Sequence, residues 1–357
     1  MTPARSVTIR ASAIIAAGLL TIAGTAGVAA AAPSDGRTIY GVTSNGNRLV
    51  SFPANNPGAA HVVATPADAT GMIIGLGPGE TVVGIDFRPS SNVLYALTIG
   101  ATTGTGNQLT GAGRVYIVDK ATAVATRVTT AAAFTLSGAY FDIGFNPVSD
   151  ALRIVSSNGQ NLRLGNAAGT TDLSVLSTDT PLSYAGGDKN SAVSPRVAGI
   201  DYTPAAGSAT TLYDIDYAVD ALSVQGGVGG GTGAASPNGG VLSTVGSTGL
   251  GTNVTNLLGF DFERDGTGYA SAQTTDPDTQ GVSPGSTLFT VNTSAGTLTP
   301  IGAIGGDLLD SIAIDTTPGT PGAALPEFPV AALGPMAAFG MAGAVVVFRR
   351  RRSLAGS

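Results

Sequence analysis

Three aspartates recur at one position of a repeated string. Gly84-Ile85-Asp86-Phe87-Arg88-Pro89 returns as Gly199-Ile200-Asp201-Tyr202-Thr203-Pro204 and Gly259-Phe260-Asp261-Phe262, while Asp142-Ile143-Gly144-Phe145-Asn146-Pro147 exchanges aspartate and glycine. A ring of carboxylates around a channel is one reading. In an extended strand, however, the first and third positions share a face, so the exchange fits a packing rule that accepts either order. A residue present in every copy answers a need that every copy has, such as bonding turn amides or a neighbouring unit. A structural role is therefore the expectation for these aspartates.

Other chemistry is sparse. Between residues 35 and 317 the only glutamates are Glu80 and Glu263, so acid and base roles would fall largely to aspartate, with Glu263 the one catalytic candidate. Its competing role is that of a solvated residue in the charged turn Glu263-Arg264-Asp265-Gly266. The single histidine, His61, aligns with Thr126 on an outer strand, which excludes a histidine-dependent triad and a multi-histidine metal site. Cysteine is absent, so there is no disulfide, thiolate ligand or thiol nucleophile. Calcium is the one cofactor left open, through Asp276 and Asp278 or the Asp214-Ile215-Asp216 pair, although neither has the loop spacing of a calcium motif. The glycine run 226–233 has no Lys-Ser/Thr after it and opens no helix, so it reads as a flexible loop and not a phosphate cradle.

These residues need elements to position them. Low charge, abundant glycine and threonine, and no long 3.6-residue periodicity between the two ends predict many short strands. The aromatic positions 87, 145, 202 and 262 stand 58, 57 and 60 residues apart, the period of a supersecondary unit. Each copy is followed by a second strand (Leu94 to Leu97, Leu152 to Val155, Leu212 to Ile215, Gly268 to Ala270) and a third (Arg114 to Asp119, Asn161 to Leu164, Leu222 to Val224, Leu288 to Asn292). A fourth is clearest at 240–246 and 296–302. Four strands per unit is the anatomy of a propeller blade.

The ends of the domain extend the argument. Ile39 to Phe52 aligns with second and third strands, and Ser311 to Asp315 is a lone first strand. Pairing them completes a fifth blade, so the expected fold is all-β: a five-bladed propeller over residues 37–316, closed by its N- and C-terminal strands. A β-sandwich or open solenoid is the competing architecture. The strings Gly84 to Pro89, Leu94-Tyr95 and Gly159-Gln160-Asn161-Leu162-Arg163 resemble the family catalogued as domain of unknown function 4394. That resemblance covers nearly the whole domain and implies the repeat fold and an exported setting, with no catalytic residues to carry over.

Both termini read as delivery segments. Arg5 and Arg10, an uncharged run and Val28 to Pro33 have the three regions of a signal peptide, with cleavage expected after Ala31. Residues 317–329 form a Pro/Gly linker ending in Leu325-Pro326-Glu327-Phe328-Pro329. Residues 330–348 are uncharged and span about 28 Å as a helix, enough for a membrane, and Arg349 to Arg352 in the 349–357 tail set the cytoplasmic side. This tail resembles bacterial and archaeal C-terminal sorting signals, which implies a sortase or exosortase as partner. The Leu325–Pro329 string departs from both established motifs, and a plain membrane anchor is the alternative.

Charge narrows the partners. Residues 35–317 carry a net charge of −11, which argues against nucleic acid and anionic lipid. Loops joining strands two to three and four to one share one propeller end, and Tyr184, Asp188, Lys189, Asn190 and Arg196 concentrate aromatic and charged groups there. These five are the expected binding residues. The leading functional expectation is a non-catalytic, cell-surface module displaying a face for an extracellular glycan, protein or matrix. The alternatives are a polysaccharide hydrolase or lyase using Asp and Glu263, and a structural envelope or biofilm component.

Overall fold

The innermost strands of the repeat carry no polar face to present to water. Phe141–Phe145, Val197–Tyr202 and Leu258–Phe262 are buried at every position, which requires packing on both faces. The computed structural model shows how: it describes residues 36–316, apart from 45–46, 65–69, 231–234, 252–257 and 276–281, as five small sheets arranged as the blades of a propeller. The 1–31, 317–329, 330–348 and 349–357 segments lie outside the described residues, as do Asp276 and Asp278. Among the described residues no helix is long and apolar enough to cross a membrane.

The first blade orders Thr81–Arg88, Val93–Ile99, Thr110–Val118 and Ala125–Arg127 from the axis outward. The second runs Phe141–Phe145, Leu152–Ser156, Asn161–Gly165 and Val175–Thr178, and the third Val197–Tyr202, Leu212–Asp216, Ala221–Gln225 and Val241–Ser247. The fourth comprises Leu258–Phe262, Gly268–Thr275, Val282–Val291 and Leu298–Ala303. The closing blade takes its inner strand, Leu309–Ile314, from the C-terminal side and Thr38–Thr43, Leu49–Pro53 and His61–Val62 from the N-terminal side. Register there is antiparallel, with Ile39 opposite Ile314 and Gly41 opposite Ile312, so the expected closure is present. It pairs the two strands that would otherwise stand as open edges at the break in the ring, and leaves only short outer edges.

The apolar core lies between the blades. Five clusters each fill one seam: Tyr95 and Leu97 meet Phe141 and Phe145; Val155 meets Ile200 and Leu212; Ile215 and Leu222 meet Phe260. Ile39 and Phe52 meet Tyr269 and Leu288, and Val42 and Leu49 meet Ile85 and Phe87. Fully burying a side chain of this size contributes about 1.5–3 kcal/mol, so each seam depends on residues from two repeats. Each inner strand touches that of the next blade, and the last touches the first. The first and third positions of five strands are thereby brought around one axis.

Candidate functional site

The ring uses those two positions in two registers. Where the third position is aspartate, its Oδ2 accepts the backbone amide of the fourth position in the next blade: Phe145 to Asp86 at 2.6 Å, Phe262 to Asp201 at 2.9 Å, Ile314 to Asp261 at 2.5 Å. Where the first position is polar, it accepts from the second position of the next blade. Ile200 donates to Asp142 Oδ2 at 2.9 Å, and Ile85 donates to Ser311 Oγ at 3.1 Å. One such brace crosses each of the five seams, so the expected structural role of the repeated aspartates is present. The glycines permit the close approach it requires: a Cβ on Gly259 would stand 2.5 Å from the Ile312 amide nitrogen, and one on Gly144 2.9 Å from Asp201 Oδ1.

The remaining oxygens separate the two registers. Asp142 Oδ1 accepts the Ser311 hydroxyl at 3.0 Å. Asp86, Asp201 and Asp261 instead converge, each offering one oxygen within 4.8 Å of the others. They line a cavity of about 300 Å³ that opens at the end carrying the turns between first and second strands, rimmed by Pro89, Pro147, Pro204, Arg264 and Thr316. Burial pushes Asp86 and Asp201 well above the usual carboxylate range, and the charge of Asp261 adds to the rise. Burial also raises Asp261, to about 7, although a hydrogen bond with Asp201 opposes the rise. Three such oxygens can share protons or hold a hard cation, and these are the residues that fit a metal.

Glu263 does not join them. It is fully buried, its Oε1 forms an ion pair with Arg37 and accepts the Arg264 amide at 2.7 Å. The expectation of a solvated turn residue is corrected, because its strand position faces the closing blade and brings it against the segment that enters that blade. Arg88 and Asp315 hold the corresponding position in their strands and pair with Asp150 and Lys120. His61 lies on the outermost strand of the closing blade, as the repeat alignment places it, beside Ser51 Oγ at 3.1 Å.

The five binding candidates lie on the segment 184–196, which runs from the outer edge of the third blade, where Ser183–Tyr184 pairs in parallel with Val241–Ser247, to the start of its innermost strand Val197–Tyr202. Several of them fasten that segment. Tyr184 is buried and donates its hydroxyl to Asp216 at 2.8 Å, and the Arg196 amide donates to the same oxygen at 3.1 Å. Asp188 accepts the Thr244 amide at 2.7 Å, and Asn190 donates to Thr244 Oγ1 at 3.0 Å. Lys189 and Arg196 are exposed. At the opposite end lies the axial cavity: the ring of carboxylates weighed from the sequence and set below a structural role is present there beside that role, and the exchange of Asp142 and Gly144 was a signal that the repeated positions are not equivalent.

At the end that carries the loops between second and third strands, a smaller cavity of about 220 Å³ is lined by Val83, Ile99, Leu109, Tyr140 and Phe141, with Asp310 as the charged residue in its wall. Burial raises the Asp310 carboxyl to about 7. The Asp214-Ile215-Asp216 pair takes no loop geometry: both residues are buried in the second strand of the third blade, and burial raises both carboxyls.

A family model described as a domain of unknown function (DUF4394) matches residues 48–313. No curated protein matches the sequence. Among solved structures, an exo-β-1,3-galactanase, described as putative, from Bifidobacterium bifidum is similar at 15% identity over 44% of this chain, with a TM-score of 0.29. The chain spans 50% of that galactanase. A puromycin hydrolase is similar at 12% identity over 76% of this chain and 36% of its own, also with a TM-score of 0.29. Similarities this distant carry no functional argument.

Proposed function

The chain belongs to the domain of unknown function 4394 family, and from that premise and the geometry of the axis we propose that it is a non-catalytic exported surface module. Its ligand-binding face would be the axial mouth rimmed by Pro89, Pro147, Pro204 and Arg264. The observation that carries this reading is the 300 Å³ cavity there, within the range of small-molecule sites. An extracellular glycan is the favoured occupant. Export by residues 1–31 and retention at the envelope by residues 330–348, with or without sortase-type processing, belong to the same proposal.

Two features weigh against a hydrolase. The axial oxygens lie within 4.8 Å of one another, closer than the roughly 5–5.5 Å or 6.5–9.5 Å between the carboxyls of retaining or inverting glycosidases. Glu263 is committed to Arg37. The test is a panel of polysaccharides and glycans presented to the full chain, scored for retention and for product release. Retention without turnover, weakened at least threefold by Arg264→Ala, is the expected result. Product release that disappears in Glu263→Gln would establish the enzyme instead, and silence on every ligand would favour an envelope component.

A further inference from the structure

The braces between blades do not need three converging carboxylates. Ser311 accepts the Ile85 amide with a neutral hydroxyl, and Asp142 performs the same task with its second oxygen satisfied by Ser311. Asp86, Asp201 and Asp261 are 5%, 6% and 5% exposed, so their mutual repulsion is little screened by water. Among the described residues, no side chain outside the trio donates a hydrogen bond to any of them. Asp86 in particular is held by backbone amides and lines the cavity without a side-chain donor. Their outward oxygens border the open cavity, where a ligand can reach them.

We propose that Asp86, Asp201 and Asp261 bind a divalent, oxygen-preferring cation, calcium, on the propeller axis at the floor of the cavity. Oxygens within 4.8 Å of one another span the separation set by two calcium–oxygen bonds of about 2.4 Å. The cavity leaves room for water to complete the shell, as calcium's six to eight ligands require. Its opening gives the ion a path in. The ion would tie three of the five blades together at the point where their inner strands meet. Glycine at 144 and alanine at 313 occupy the same position in the other two blades, which leaves the trio uncrowded.

This deepens the reading of the same mouth, and the two fail separately: calcium uptake is measured with no glycan present, and glycan retention is measured in chelator. Chelator-stripped full chain titrated calorimetrically with calcium chloride is expected to take up an axial ion. Terbium, used as a luminescent substitute, should be sensitised by Tyr202 in the cavity wall. Asp86→Asn and Asp201→Asn keep an oxygen for the Phe145 and Phe262 amides, and each should weaken uptake at least tenfold. Asp142→Asn should leave uptake unchanged. Calcium should raise the melting midpoint of wild type and of Asp142→Asn but not of Asp201→Asn. Undiminished uptake in both Asp86→Asn and Asp201→Asn overturns the proposal. So does the absence of both heat and midpoint shift in wild type, a readout that needs no variant to fold.

Discussion

Two levels of one channel perform the same mechanical task with different electrostatics. At the level of Asp142 and Ser311, each acceptor takes an amide from the next blade, and the two side chains bond to each other. Two residues further along, Asp86, Asp201 and Asp261 make equivalent braces but turn their second oxygens toward a cavity and toward one another. The first level is closed within the protein. At the second, polar capacity is left over where solvent can reach it. The difference teaches that a repeated residue can be structural through one atom and available through the next, so the two roles are not alternatives.

Close packing of the inner strands underlies both levels, and breaking it should have the largest destabilising effect. Gly259→Ala sets a methyl group 2.5 Å from the Ile312 nitrogen and 2.9 Å from the Ser311 carbonyl carbon, all backbone. A loss of roughly 3 kcal/mol is expected, read as a lowered denaturation midpoint. Removing the closed level's acceptor ranks next. Asp142→Ala strands the buried Ile200 amide and leaves the Ser311 hydroxyl only its longer contact to the Ile85 carbonyl at 3.4 Å, at an expected cost of about 2–3 kcal/mol. Asp142→Asn, which keeps an oxygen in place, should recover more than half of that loss. An alanine variant as stable as wild type would show that the braces do not hold the ring.

The third prediction uses Asp310, at the opposite mouth. Its carboxyl is raised to about 7 by burial, so the fold holds its proton while the unfolded chain has already released it. Stability from this source is complete below about pH 4, declines between about 4 and 7, and is lowest above that range. Asp310→Asn is neutral throughout. The variant should therefore match wild type near pH 4 and exceed it by up to about 4 kcal/mol at pH 8, a difference visible in thermal melts across pH. A constant offset would mean that the residue acts through packing alone.

Much of the fold was legible before any coordinates. Alternation of short strands, the recurrence of aromatic positions 87, 145, 202 and 262, and the half-repeats at 39–52 and 311–315 point to five blades and their closure, because strand and turn signals are local. The position of His61 followed from the same alignment. The site was less legible. Tyr184, Asp188 and Asn190 form a polar cluster in the chain, yet their partners Asp216 and Thr244 come from distant strands and turn them inward. Glu263 resembles a turn residue until Arg37, from the far end of the domain, is brought against it.

The sequence by itself determined the repeat, the number of blades and the pattern of small and acidic residues along each inner strand, since those are properties of neighbouring residues. Only the tertiary structure decided which carboxylates are satisfied and which converge. That depends on amides donated from the next blade and on oxygens meeting across an axis that exists once the ring has closed.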